Sequence, residues 1–202
     1  MKQIVAIIGL GLLAGVGAMF FDGQPAGNYE NERLMNDTDN QSSLTLSSPA
    51  FEPGGAIPSK YTCDGDRTTN PPLLISNVPS EAKSLVLVMD DPDIPQVFKD
   101  ERGIDSFDHW VVYGILPDTA EIEEGAVVGA LGMNSGGTEG YTGPCPPPEY
   151  EPTTHRYIFK LYALSGTLQF IKAPSKAEVL AAMQGMMLDE TELIGTYSRI
   201  GR

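Results

Sequence analysis

The 202-residue chain has only two cysteines, two histidines and one tryptophan, and its 13 Lys and Arg stand against 27 Asp and Glu. The resulting net charge of -14 excludes nucleic acid as a partner, because a phosphate backbone is held by clustered Lys and Arg. Anionic membrane surfaces are disfavoured for the same reason. The histidines, His109 and His155, form neither a His-x-x-x-His nor a His-x-His pair, the spacings that mark many metal sites. No serine stands in a Gly-x-Ser-x-Gly turn. Cys145 is then the one candidate nucleophile, and nothing local marks it as activated. Helical pattern is scarce as well. With 22 Gly, 16 Pro and 41% hydrophobic residues, the composition is that of a turn-rich globular protein able to bury a core, in a chain long enough for one ordinary domain.

The longest apolar run, residues 4–16, follows Lys2 and precedes the small residues "GVGA". It reads as a signal peptide over residues 1–18, with Val16 and Ala18 ahead of the cleavage point, or as an N-terminal membrane anchor, since 4–21 touches the lower end of spanning length. No cysteine follows directly to accept a lipid. The chain is therefore expected to be exported: periplasmic, secreted or envelope-anchored. Residues 19–43 are polar and aperiodic and read as a flexible tether. The folded domain is expected over 44–202.

Inside that domain, short apolar or alternating runs recur between Pro, Gly and Asn: "LTLSS", "PLLIS", "SLVLVMD", "HWVVYGIL", "HRYIFKLYAL" and a terminal "TELIGTYSRI". This is a β pattern. "SLVLVMD" and "RYIFKLYAL" are apolar on both faces, so both belong in the centre of a sheet. One good helix is expected, capped by Ser175 with Glu178 three residues on, and carrying a Val179–Met183–Met186/Met187 stripe that reads as core packing.

Three clusters at strand ends carry polar chemistry. In "DDPDIP", Pro92 holds Asp91 and Asp93 in fixed backbone, although an Asx turn would have the same pattern. In "FDHWVVYGILP", alternation should turn His109 and Trp110 to opposite faces. In "GPCPPPEYEPTTHRY", alternation puts His155 and Tyr157 on one face and Arg156 on the other. Two readings stay open. Imidazoles and carboxylates suit a metal whose bound water would make a hydrolase, or the same donors could hold an anion while carboxylates fix the imidazole tautomers.

Together, "CDGDRTTNPPL", "DDPDIP", "DHWVVYGILP", "GPCPPPEYEPTTHRYIFKLYAL" and "LIGTYSR" resemble the phosphatidylethanolamine-binding protein family, in its bacterial and archaeal branch often labelled Raf kinase inhibitor-like. The resemblance covers about 44–202. It implies a mostly β fold, a large antiparallel sheet with a smaller second sheet in a Greek-key arrangement and a few peripheral helices. It also implies a non-enzymatic binding or regulatory protein that needs no metal or cofactor. Its small pocket would hold phosphate-like or phospholipid-headgroup ligands. The matching pocket positions are Asp91, Pro92, Asp93, His109, Gly143, Pro144, His155 and Tyr157, with Asp91 and Asp93 expected to accept bonds from the histidines and Arg156 to turn away towards a structural acid. An alternative is an inhibitor or scaffold of a protease or kinase acting through surface loops; the metal-dependent hydrolase is a remote third reading. The resemblance brings Cys63 and Cys145 near the pocket, where an exported chain would have them as a disulfide, or else as two buried free thiols. Leu74–Ile75, Asn134–Ser135 and the insert "PEYEPTT" at 148–154 depart from the family pattern and are expected to alter the pocket rim.

Overall fold

The structure, a computed structural model, describes residues 44–199. The leader expected at 1–18 and the tether at 19–43 lie outside the described residues. Among the described residues eight strands and two α-helices follow one another, with one 3-10 turn at Ser59–Tyr61: β1 (Thr45–Ser47), β2 (Leu73–Ser76), β3 (Ser84–Asp91), α1 (Gln96–Arg102), β4 (Phe107–Ile115), β5 (Glu121–Ile122), β6 (Ala130–Leu131), β7 (Thr154–Leu164), α2 (Lys176–Ala182) and β8 (Met187–Ser198). The strands form two antiparallel sheets, β1-β2-β5 and β6-β4-β3-β7-β8. Among the described residues no helix is long and apolar enough to cross a membrane.

The two-faced apolar pattern of β3 places it in the middle of the larger sheet, between β4 and β7. Alternate residues divide between two cores. Leu85, Leu87 and Met89 join Trp110, Phe159 and the inward residues of the smaller sheet, Leu46, Leu73 and Ile122. Val86 and Val88 face the other way and meet Val111, Val179 and Met183. The molecule is thus layered as small sheet, large sheet and α2.

Helix α2 begins as its sequence predicts. Ser175 accepts from Glu178 N while the Glu178 carboxylate accepts from Ser175 N, a complete capping box. It is shorter than expected: Met183 is already the C-cap, and Gly185, at φ 77°, turns the chain so that Met187 opens β8. Val179 and Met183 pack in the second core, whereas Met187 is exposed.

The second helix, α1, had no sequence signal. Pro95 precedes it without a side-chain cap and none of its residues is buried, so it has no apolar stripe to recognise. Gly103 ends it at φ 63°, a conformation glycine adopts without cost.

Cys63 and Cys145 form a disulfide, Cα–Cα 5.4 Å, that closes a loop across 82 positions. Such a crosslink restricts the unfolded chain by roughly 4 kcal/mol on the chain-entropy account. Reduction should therefore lower the urea midpoint substantially, and thiol titration of the unfolded, unreduced protein should find no free cysteine among these two. Replacing Ser175 by Ala should cost about 1 kcal/mol in the same measurement, because the Glu178 N–H loses its acceptor.

Candidate functional site

Strand β3 ends in Asp91, which is 2% exposed. Its carboxylate is held on both oxygens: Oδ1 accepts from Asp93 N at 2.8 Å and Oδ2 accepts from His155 Nδ1 at 2.7 Å. The first bond closes the turn at Pro92; the second joins β3 to β7. His155 is fully buried, and its Nε2 has no hydrogen-bond partner. Two residues on, Tyr157 stacks its ring 6.5 Å from that of His155, and its buried hydroxyl is also without a partner. Burial pushes the Tyr157 phenol up, with the Asp91 charge adding to the effect.

Asp93 does not meet a histidine. Arg156, which alternation turns outward, donates to it from the backbone N at 2.9 Å, from Nε at 2.8 Å and from Nη2 at 2.7 Å. The structural acid expected for Arg156 is therefore Asp93 itself, and the expectation that both aspartates accept from imidazoles is corrected to Asp91 alone. The guanidinium bonds hold the Asp93 carboxyl below its usual range.

His109 reaches the site through a β-bulge. Met89 pairs with Trp110 and Asp90 with Asp108, so His109 is the extra residue on β4. A bulge re-aims the side chain it displaces. Here the His109 ring lies 5.2 Å from Tyr157 and the Trp110 ring 5.6 Å from Tyr141, both partners belonging to the first core. Strict alternation wrongly sent these two side chains to opposite faces. His109 Nδ1 lies 2.6 Å from the Thr142 carbonyl oxygen. Burial pushes its imidazole below the ordinary range, against the raising effects of that carbonyl and of Asp91. In the neutral ring Nδ1–H donates to Thr142, which leaves Nε2 as an acceptor.

The wall opposite is residues 141–147. Thr142 N donates to His109 O, Gly143 N to Arg67 O, Cys63 N to Pro144 O, and the Tyr141 hydroxyl to Tyr61 O. The fit is tight: a Cβ on Gly143 would sit 2.4 Å from Tyr61 O. The disulfide locks the same two loops together.

These segments enclose a cavity of about 280 Å³. Of the eight residues named from the sequence, Asp91, His109, Gly143 and His155 line it, with Cys145 beside them. Pro92, Asp93, Pro144 and Tyr157 do not line it; they hold or back those that do. Sequence reasoning missed Arg67 and Arg102 and an apolar side made by Ile94, Pro95, Phe98, Ile104 and Phe107. Phe98 and Arg102 belong to α1, whose lack of an apolar stripe left no pattern to find them by. Leu74, Asn134 and Ser135 are not at the rim. Asn134 instead ties its own loop through Gly136 N and Gly140 O. No residue of the 148–154 insert lines the cavity either; the Tyr150 ring meets that of the lining residue Phe98 edge-on at 5.6 Å. Among the described residues no three His, Cys, Asp or Glu side chains gather into a group that could hold a metal ion.

Comparison with known proteins gives a consistent picture. The family described as phosphatidylethanolamine-binding protein matches residues 47–198. A protein of Methanothermobacter thermautotrophicus, named only as a UPF0098 protein, is 44% identical over 163 residues, covering 77% of this chain and 99% of its own. A crystal structure from Chlamydia trachomatis, described as a phosphatidylethanolamine-binding protein homologue, is 40% identical with a TM-score of 0.71, covering 79% of this chain and all of its own. Escherichia coli YbcL, at 23% identity and a TM-score of 0.67 over 78% of this chain and 99% of its own, shares the fold.

The state of His109 has a measurable consequence. The unfolded chain takes up a proton near pH 6.5 and the folded ring only at lower pH. Stability held above that value is thus lost as pH falls through the interval down to the folded pKa, where the unfolded state binds the extra proton. His109→Gln removes this contribution. Between about pH 7 and about pH 5, the melting temperature of the wild type should fall more steeply than that of the variant.

Proposed function

Because the chain belongs to the phosphatidylethanolamine-binding protein family, we propose that it is a non-enzymatic binding protein whose cavity between β3, β4 and β7 holds a small phosphate-like anion, free or as a phospholipid headgroup. The observation that carries this reading is a buried polar atom of a cavity-lining residue that has no partner, His155 Nε2. A buried donor or acceptor left unsatisfied costs about 1–3 kcal/mol, and a ligand oxygen at this floor would relieve that cost. Local charge agrees. Asp91 faces His155 and Asp93 faces Arg156, so neither carboxylate is left to repel an incoming anion.

The two imidazoles play different parts. With Nδ1 committed to Asp91, His155 can meet the ligand only through Nε2, which is a donor when the ring is doubly protonated. His109, neutral, offers an acceptor. One donor and one acceptor suit a phosphate that retains a proton. An export segment at residues 1–18 would deliver this binding outside the cytoplasm.

Isothermal titration with inorganic phosphate near neutral pH tests the reading. His155→Ala should weaken binding about tenfold or more, since a hydrogen bond to a charged group contributes roughly 1.5–3 kcal/mol. Asp91→Asn should weaken it as well, because the His155 Nδ1–H loses the charged acceptor that orients the ring. Wild-type phosphate affinity retained in a folded His155→Ala protein would overturn the proposal.

A further inference from the structure

The cavity is larger and less polar than a bare oxyanion needs. Its volume of about 280 Å³ equals roughly nine waters of liquid, so five heavy atoms of phosphate leave most of it unfilled. Besides the histidines it is lined by Ile94, Phe98, Ile104, Phe107, Pro146 and Pro147. Apolar walls of this kind bind an apolar group, and water gains little there.

Two arginines share this space. In an acidic chain, Lys60, Arg156, Lys176 and Arg199 each pair with a carboxylate. Arg67 and Arg102 line the cavity, and among the described residues neither forms a salt bridge. Arg67 donates from Nη2 to Thr142 Oγ1, its one side-chain hydrogen bond among the described residues. Arg102 stands one helical turn after Phe98, so α1 presents a ring and a guanidinium together. The helix has no buried residue. It is attached by the Phe98–Tyr150 ring contact and by Lys99 Nζ, which donates to the Pro92 carbonyl at 2.7 Å.

We propose that the ligand is a phosphate monoester bearing a compact apolar substituent. The substituent lies against the α1 side of the cavity, and Arg67 and Arg102 contact the anionic group. This rests on the anion reading above and adds the ligand's second half. Phe98 and Ile104 are then specificity-determining residues, and Arg102 is an anion contact common to both ligands.

The test compares phenyl phosphate with inorganic phosphate by isothermal titration of the full protein. Phenyl phosphate should bind about tenfold more tightly, equivalent to about 1.4 kcal/mol, which needs only about 55 Å² of apolar burial. Phe98→Ala should bring that ratio to within about twofold; Ile104→Ser is the second variant if loss of Phe98 disturbs α1. Arg102→Gln should weaken both ligands. Equal binding of the two phosphates by wild type, or an undiminished ratio in both apolar variants, would overturn the inference and leave the anion reading standing. Binding of neither would remove the anion reading itself. Displacement of phenyl phosphate by phosphatidylcholine vesicles containing phosphatidic acid would support a membrane lipid as the ester, and failure to displace it a soluble one.

Discussion

A carboxylate in an almost dry position is the constraint on which the site depends. Asp91 lies at the end of a central strand, 2% exposed, where an unpaired charge would be costly. It is tolerable there because His155 faces it across the β3–β7 ladder and Asp93 N closes the turn beneath it. Removing one partner of such a pair is strongly destabilising. The pair also sets the chemistry, since a ring bonded at Nδ1 can present only Nε2 to a ligand. Fold and site therefore share one interaction.

The surrounding loops follow from it. The closed turn at Pro92 aims the chain towards Pro95 and α1, which forms one side of the cavity. The opposite side is 141–147, bonded to β4 through His109 and Thr142 and to the 61–67 loop through Gly143, Tyr141 and the disulfide. Backbone groups within this lattice find their acceptors in neighbouring loops instead of a ladder, as buried backbone must. Side-chain polarity is assigned as tightly: Asp93 goes to Arg156, and Lys176 bonds Asp90 and Asp108 beneath α2.

What was legible in the sequence was what has a period or a cap. The two-faced runs of β3 and β7 announced central strands, and Ser175 with Glu178 announced α2. Alternation also put His155 and Tyr157 on one face and Arg156 on the other. The failures have physical causes as well. A bulge cannot be read from alternation, so His109 and Trp110 were sent apart although both reach the first core. Helix α1 buries nothing, so it left no pattern, and with it went Phe98, Arg102 and much of the cavity lining. Arg67 lies in a loop held by residues 141–145, about 75 positions away, so no local pattern places it.

By itself, the sequence determined the β architecture, the acidic character and the strand ends where Asp91, His109 and His155 stand, because each follows from local periodicity, turn chemistry or composition. Tertiary structure alone decided which acid meets which base. Asp91 was matched to His155 and Asp93 to Arg156 by strand register and by the Pro92 turn, quantities that belong to pairs of strands and not to any one segment. It likewise decided that two arginines that form no salt bridge among the described residues and the apolar residues around α1 share one cavity, since that requires three distant loops to close on the same sheet end.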